Sequence, residues 1–244
     1  MYSYKTRVLF SEVDSNFSIT LPAILTKFQD CSIFHSESVG LGVEDMIKEG
    51  HVWLLSSWQI IIDRYPKLYE ELTNSTWAYG WRGFYGFRNF KLEDAEGNIA
   101  AYANTNWVYT DLKTGHPAKI PKEVSDAYQV EAPLPMDVSS RKIPMTEEGK
   151  AQQPYTVRRS DIDSNRHVNN VRYVQIAGES LPDGFITRQL RAEYKQAAHL
   201  GDTLYPHVLW KGDRITTALT DESGHSYAVI EFTACSEANQ TQTV

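Results

Sequence analysis

A chain of 244 residues with 41% hydrophobic side chains can bury a sizeable core, in one large domain or two small ones. Its formal net charge of −7 argues against nucleic acid as the main partner, because phosphate contacts need a basic surface, and no apolar run approaches membrane-spanning length. Two cysteines, Cys31 and Cys235, far apart and in no metal-ligand spacing, point to a reducing compartment and imply no metal.

The opening MYSYKTRVLF enters an alternating strand pattern at once, so neither a signal nor a transit peptide is expected and a cytoplasmic location is. A helix from about Leu21 to Val39 follows, with Thr20 as its cap, Pro22 in its first turn and Gly40 and Gly42 past its end. Leu21, Ile24, Leu25, Phe28, Cys31, Ser32 and His35 share one face of it, and Cys31 reads as a small buried apolar residue. Strands are expected over His51–Arg64, Leu72–Gly83, Tyr85–Glu93 and Asn98–Thr110, with a tight turn at Ala95–Asn98. One long helix followed by an antiparallel meander is the layout of a hot-dog unit, in which the sheet wraps the helix. The tryptophans of the meander, Trp53, Trp58, Trp77, Trp81 and Trp107, read first as core.

From about Ser125 to Gln153, prolines, charges and weak periodicity mark a connector that should cross the surface of both halves. It separates a first unit, residues 1–124, from a second, residues 154–244. The second carries a shorter helix from about Val171 to Ser180, stopped by Leu181-Pro182-Asp183-Gly184, with Val174, Ala177 and Leu181 inward. Strands are expected over Phe185–Ala197, Thr203–Lys211 and Ile215–Thr220, then a turn at Asp221–His225 and a last strand through Ser236. The tail SEANQTQTV is polar and expected to fray.

Comparing the chain with itself shows that Ser11–Thr20 parallels Ser160–Asn169 at an offset of 149 (160 − 11), so one unit is used twice. Both copies keep an Asp and an Asn, Asp14 and Asn16 against Asp163 and Asn165. Ser18, however, stands where the second copy has His167, so the first lacks the one acid–base group suited to neutral pH. A single complete site, in the second half, is the expectation. In an extended segment Asp163, Asn165 and His167 would project from one side. Asn169 or Asn170 would cap the following helix, aiming the amides of Val168, Asn169 and Asn170 and a partial positive charge at the same volume. That suits chemistry that builds negative charge on a carbonyl oxygen. A polar turn would explain the Asn pair alone, but it does not require His167. The remaining histidines, His35, His51, His116, His207 and His225, have no metal spacing and read as structural or solvated.

DIDSNRHVNNVRY, Asp161–Tyr173, resembles the signature of the acyl-ACP thioesterases, Asp-x-Asn-x-His-Val-Asn-Asn-x-x-Tyr. TGHPAKIPKEV, Thr114–Val124, resembles the segment closing that family's first half, and Glu193-Tyr194-Lys195 a Glu-Tyr-Arg/Lys segment after the motif helix. The resemblance implies an α+β fold of two tandem hot-dog units, each a helix wrapped by an antiparallel sheet, packed as a pseudo-dimer. It implies hydrolysis of fatty acyl-ACP to free fatty acid and holo-ACP in fatty acid biosynthesis, with acyl carrier protein as partner, no cofactor, and a monomer or homodimer of bacterial type. Asp163, Asn165 and His167 would be catalytic, with Tyr173 supporting. Trp53, Trp58 and Phe28 would line the acyl pocket, where about 10 methylenes at about 0.8 kcal/mol each would contribute about 8 kcal/mol before ordering costs. Arg158, Arg159, Arg166 and Arg172 would meet the acidic carrier.

No G-x-S-x-G elbow is present and neither cysteine has a reactive setting, so water attack remains, with Asp163 or His167 taking the proton and Asn165 orienting water or thioester. His167 could instead donate to the leaving thiolate. The sequence departs from the family where several members carry catalytic Glu-Cys: Ala197 and Ala198 stand there. Glu193 has the right strand parity but would lie about 13 Å away, and His199 would lie about 7 Å beyond Ala197, in reach only if the strand bends. An acyl-CoA thioesterase and a non-catalytic acyl-binding regulator are the alternatives.

Overall fold

A computed structural model describes residues 1–145 and 147–234, and the chain divides into two compact units, Met1–Ser139 and Ser140 onward. Cys235, Ser236 and the polar tail lie outside the described residues.

In the first unit, β1 (Tyr2–Arg7) leads through a 3-10 turn, Phe10–Glu12, into α1 (Leu21–Ser38) and the short α2 (Val43–Lys48). Thr20 caps α1 as expected, its Oγ1 accepting the Ala23 amide at 3.3 Å. The meander β2 (His51–Ile62), β3 (Glu71–Arg82), β4 (Tyr85–Asp94) and β5 (Ile99–Asp111) pairs antiparallel in the order β1-β3-β4-β5-β2. The helix buries Ile24, Leu25, Phe28, Cys31 and His35, and it also buries Lys27, which the apolar periodicity did not foretell. Lys27 is tolerated there because its Nζ lies 2.9 Å from Glu12 Oε1. The core is aromatic: Phe28 lies against Phe90 and Trp58 at ring separations of 5.3 and 6.2 Å.

The connector begins with α3 (Lys122–Ala127) and is then tied down residue by residue. Glu131 and Leu134 donate their amides to Ala78 O and Asn89 Oδ1, and the Gln59 carboxamide bridges Asp137 O and the Ser139 amide. Beyond Ser139 the partners change to the second unit, where Glu193 Oε2 accepts the Ile143 amide and Arg191 donates to Ser140 O.

The second unit contains two short strands, β6 (Lys150–Ala151) and β7 (Tyr155–Thr156), then a 3-10 turn at Arg159–Asp161 and α4 (Asn170–Gly178). β8 (Thr187–Tyr194), β9 (Thr203–Lys211), β10 (Arg214–Thr220) and β11 (Ser226–Ala234) form the order β8-β11-β10-β9-β6, with β7 also on β9. α4 lies against β10 and β11. The hairpin turns correspond: Asp94 Oδ1 accepts the Glu96 and Asn98 amides, and Asp221 Oδ1 those of Ser223 and His225.

Strands β2 and β8 end earlier than expected, β2 at Ile62 rather than Arg64. β8 stops at Tyr194, not Ala197, because the Lys195 and Gln196 amides both donate to Tyr227 O, two donors to one acceptor, which turns the chain out of the ladder.

Candidate functional site

The motif is a hairpin, not the extended segment that side-chain alternation suggested. Ile162 bridges Val168, Asp163 donates its amide to His167 O at 2.9 Å, and Arg166 donates to Asp163 O at 3.0 Å. Arg166 is left-handed, with φ 63°, so the loop is a type I turn closed by a bulge residue. Asp163 Oδ1 accepts the Asn165 amide at 2.8 Å, the side-chain bond that makes Asp the natural start of such a turn. Asp163 and His167 therefore flank each other at the hairpin mouth, while Asn165 stands exposed at its tip.

The first copy has the same skeleton. Val13 bridges Ile19, Asp14 donates to Ser18 O at 2.9 Å, Phe17 is left-handed at φ 56°, and Asp14 Oδ1 accepts the Asn16 amide at 2.8 Å. With the backbone held constant, the two copies carry different side chains at one mouth position, Ser18 and His167.

Asp161 anchors the hairpin. Its carboxylate, buried, accepts the Tyr155 hydroxyl at 2.8 Å and the Arg158 amide at 2.7 Å, and lies 3.7 Å from Arg172 Nε. Glu12 does the same work in the first unit, accepting the Leu9 amide at 2.9 Å.

Asn169 is the helix cap, its Oδ1 accepting the Val171 amide at 2.9 Å. The expected trio of oxyanion amides is not available as such: Val168 donates to Ala198 O at 2.9 Å and Asn169 to Asp161 O at 2.8 Å. Only the Asn170 amide has no acceptor among the described residues, so it alone carries the helix-start donor and dipole.

His167 is half-buried, and no hydrogen bond reaches its ring among the described residues. Burial, and next the neighbouring imidazole of His199, lower its pKa from the ordinary histidine value, with Asp163 opposing. The two rings meet edge to face at 4.9 Å. The early end of β8 brings His199 there. Ala198, which follows the bend, is buried; its amide donates to the Tyr173 hydroxyl at 2.8 Å while its carbonyl takes the Val168 amide. Glu193 is instead a structural acid, 5% exposed and holding the connector at Ile143.

A family model for the acyl-ACP thioesterase N-terminal domain matches residues 1–128, and one for the acyl-ACP thioesterase C-terminal domain matches residues 145–232. The chain belongs to the acyl-ACP thioesterase family. The palmitoyl-acyl carrier protein thioesterase of Cuphea hookeriana is 27% identical over 203 residues, 76% of this chain and 49% of that protein. The oleoyl-acyl carrier protein thioesterase 1 of Arabidopsis thaliana is 26% identical over 244 residues, 91% of this chain and 65% of that protein. The chain spans about half the length of several such curated relatives. Among solved structures, an acyl-ACP thioesterase from Bacteroides thetaiotaomicron superposes with a TM-score of 0.85 at 24% identity, over 95% of this chain and 96% of that one. The 12:0-ACP thioesterase of Umbellularia californica does so at 0.82 and 20%, over 95% and 96%. The α+β hot-dog fold is thus that of the acyl-ACP thioesterases.

Within this chain of the acyl-ACP thioesterase family the remaining candidates separate. Phe28 and Trp58 are 0% and 3% exposed and pack on each other and on Phe90, so as they stand both are core. Trp53 belongs to a second cluster with Trp81 and Tyr109, and its buried Nε1 has no hydrogen-bond partner among the described residues. Gly86 is required there, because a Cβ would come within 2.8 Å of the Trp81 ring. Arg158, Arg159 and Arg166 are exposed, whereas Arg172 is engaged with Asp161, Gln175 and Ser160 O. Cys31 is buried, and burial pushes its thiol up to about 12, which removes it as a nucleophile.

Proposed function

We propose that the protein hydrolyses the thioester of a fatty acyl chain carried on acyl carrier protein, releasing free fatty acid and holo-carrier, by attack of water at the Asp163–His167 hairpin. The observation that carries this reading is the pair of matched hairpins of an acyl-ACP thioesterase chain, one with Ser18 and the other with His167 at the same mouth position.

The chemistry follows from what each group can do. His167, neutral because its pKa is lowered, can accept a proton or donate a ring N–H at neutral pH. Asp163 beside it stabilises any imidazolium that forms. The Asn170 amide, at a capped helix start, is the donor for the developing oxyanion. On this reading Asn165, exposed at the tip, orients the thioester or the attacking water. The exposed Arg158, Arg159 and Arg166 offer positive charge to an acidic carrier on a chain whose net charge is −7. Of the three pocket candidates, Trp53 is the one we retain for contact with the acyl chain. On this reading the reaction belongs to fatty acid biosynthesis in the cytoplasm.

The test is release of free thiol from a panel of acyl-ACPs, with acyl-CoAs of matched chain length, by the wild type and by His167→Ala. The variant should lose at least about 10²-fold. Equal turnover on both carriers would replace this reading by an acyl-CoA thioesterase, and no turnover on any member by an acyl-binding regulator.

A further inference from the structure

The loop that follows β8 has a counterpart after β2, at an offset of 132 (199 − 67). Asp63 and Arg64 both donate to Ala100 O, as Lys195 and Gln196 do to Tyr227 O. Ile19 donates to Pro66 O at 2.8 Å, as Val168 does to Ala198 O at 2.9 Å. Tyr69 and Gly201 are both left-handed, at φ 72° and 90°. The Lys67 amide donates to Glu70 Oε2 at 2.9 Å, as the His199 amide does to Asp202 Oδ2 at 2.8 Å. Lys67 and His199 are therefore one position in two copies.

That position faces the hairpin mouth in both. In the first unit Lys67 Nζ lies 2.8 Å from Ser18 Oγ, and in the second the His199 ring lies 4.9 Å from that of His167. A cation and a hydroxyl have been built in one frame, two imidazoles in the other. The second pair alone can move a proton at neutral pH.

We propose that His199 is a catalytic residue, the base that takes the proton of the attacking water. The inference rests on the thioesterase reading and completes it, because Ala197 and Ala198 leave the family's Glu-Cys positions without a base. Asp202 Oδ2, fixed by the His199 amide, lies 3.8 Å from Nδ1, where its charge favours an imidazolium as it forms, and on this proposal Nε2 is the acceptor. The water oxygen bonds to the thioester carbon, its proton passes to Nε2, and the carbonyl electron pair moves onto oxygen. Collapse breaks the carbon–sulfur bond, and the same proton then passes from His199 to the thiolate. His167 stays neutral and donates its ring N–H to the thioester oxygen. Among the described residues Asp163 from the hairpin acts on His167 and Asp202 on the loop lies beside His199, while Tyr173 from α4 faces both carboxylates and Tyr227 from β11 faces Asp202.

The experiment measures kcat and KM against pH on the best acyl-ACP for the wild type, His199→Ala and His199→Lys. The lysine variant guards against loop collapse, since Lys67 shows that this backbone accepts lysine. Both variants should lose about 10²-fold in kcat with KM within a few-fold and unfolding midpoints near the wild type. The acid limb of kcat should flatten, and added imidazole should restore part of the His199→Ala rate, because the ring it replaces is 59% exposed. An active wild type whose two variants keep kcat within two-fold, with the acid limb intact, overturns the role of His199 alone. A wild type inactive on every acyl-ACP overturns it together with the thioesterase reading.

Discussion

The Tyr173 hydroxyl accepts the buried amide of Ala198 at 2.8 Å, so one side chain of the motif helix holds the loop that carries His199. Burial pushes the Tyr173 hydroxyl up to about 12, so the contact keeps one protonation state over the working range of pH. The resemblance to the family had made Tyr173 a supporting residue, and this contact gives the support a physical form.

Tyr173→Phe should destabilise the protein by about 1–3 kcal/mol, because it leaves the Ala198 N–H buried without an acceptor. Urea unfolding reads this directly. Turnover should fall as well, since the loop loses its tether, and an unchanged unfolding midpoint would show that the amide finds another acceptor.

Asp161→Ala should destabilise at least as much, by about 3 kcal/mol or more, since the Tyr155 hydroxyl and the Arg158 amide each lose a hydrogen bond to a charged acceptor at a buried position. Asp14→Ala, in an exposed turn, should change stability far less. Paired denaturation curves of the two variants check the contrast.

Much of this was legible in the sequence because it depends on local chemistry. β9 runs over Thr203–Lys211 as its alternation indicated, and Thr20 caps α1 through the interaction that its side chain suggested. Alternation predicts the wrong shape for the motif because it assumes extended backbone, whereas Asp163 with a left-handed Arg166 makes a turn. Asp-Ser-Asn in both copies is the sequence signal for that turn. His199 reaches His167 only because the strand bends, as its sequence position requires: Lys195 and Gln196 look fit for a strand, and the shared acceptor Tyr227 O ends it. Lys67-Leu68 aligned with His199-Leu200 is the sequence signal for the loop that carries His199. Buried Lys27 was unreadable without knowing that Glu12 folds back over it.

Asp163→Asn should keep the fold, since an Asn side-chain oxygen can still accept the Asn165 amide, but lose the charge beside His167. We expect a fall in kcat on the order of 10- to 10²-fold. Asp14→Asn should leave turnover within a few-fold, because its hairpin offers no imidazole. Thiol-release assays on both variants decide the matter, and a collapse in Asp14→Asn with folding intact would assign chemistry to the first unit.

His35 gives the stability a pH dependence of known sign. Its ring is 5% exposed and its Nδ1 lies 2.8 Å from Arg88 Nη1. Burial first, and the Arg88 charge second, lower its pKa from 6.5 to about 3. The folded protein therefore holds the neutral ring while the unfolded chain binds a proton below pH 6.5, so the contribution is full above that value and is lost as pH falls toward 3. The slope is about 1.4 kcal/mol per pH unit, or about 3 kcal/mol lost by about pH 4.5. His35→Gln keeps an acceptor for Arg88 but does not titrate, so the difference in unfolding free energy between wild type and variant should narrow by that amount between pH 7 and 4.5. A difference that stays constant across the range would mean that His35 is protonated alike in both states.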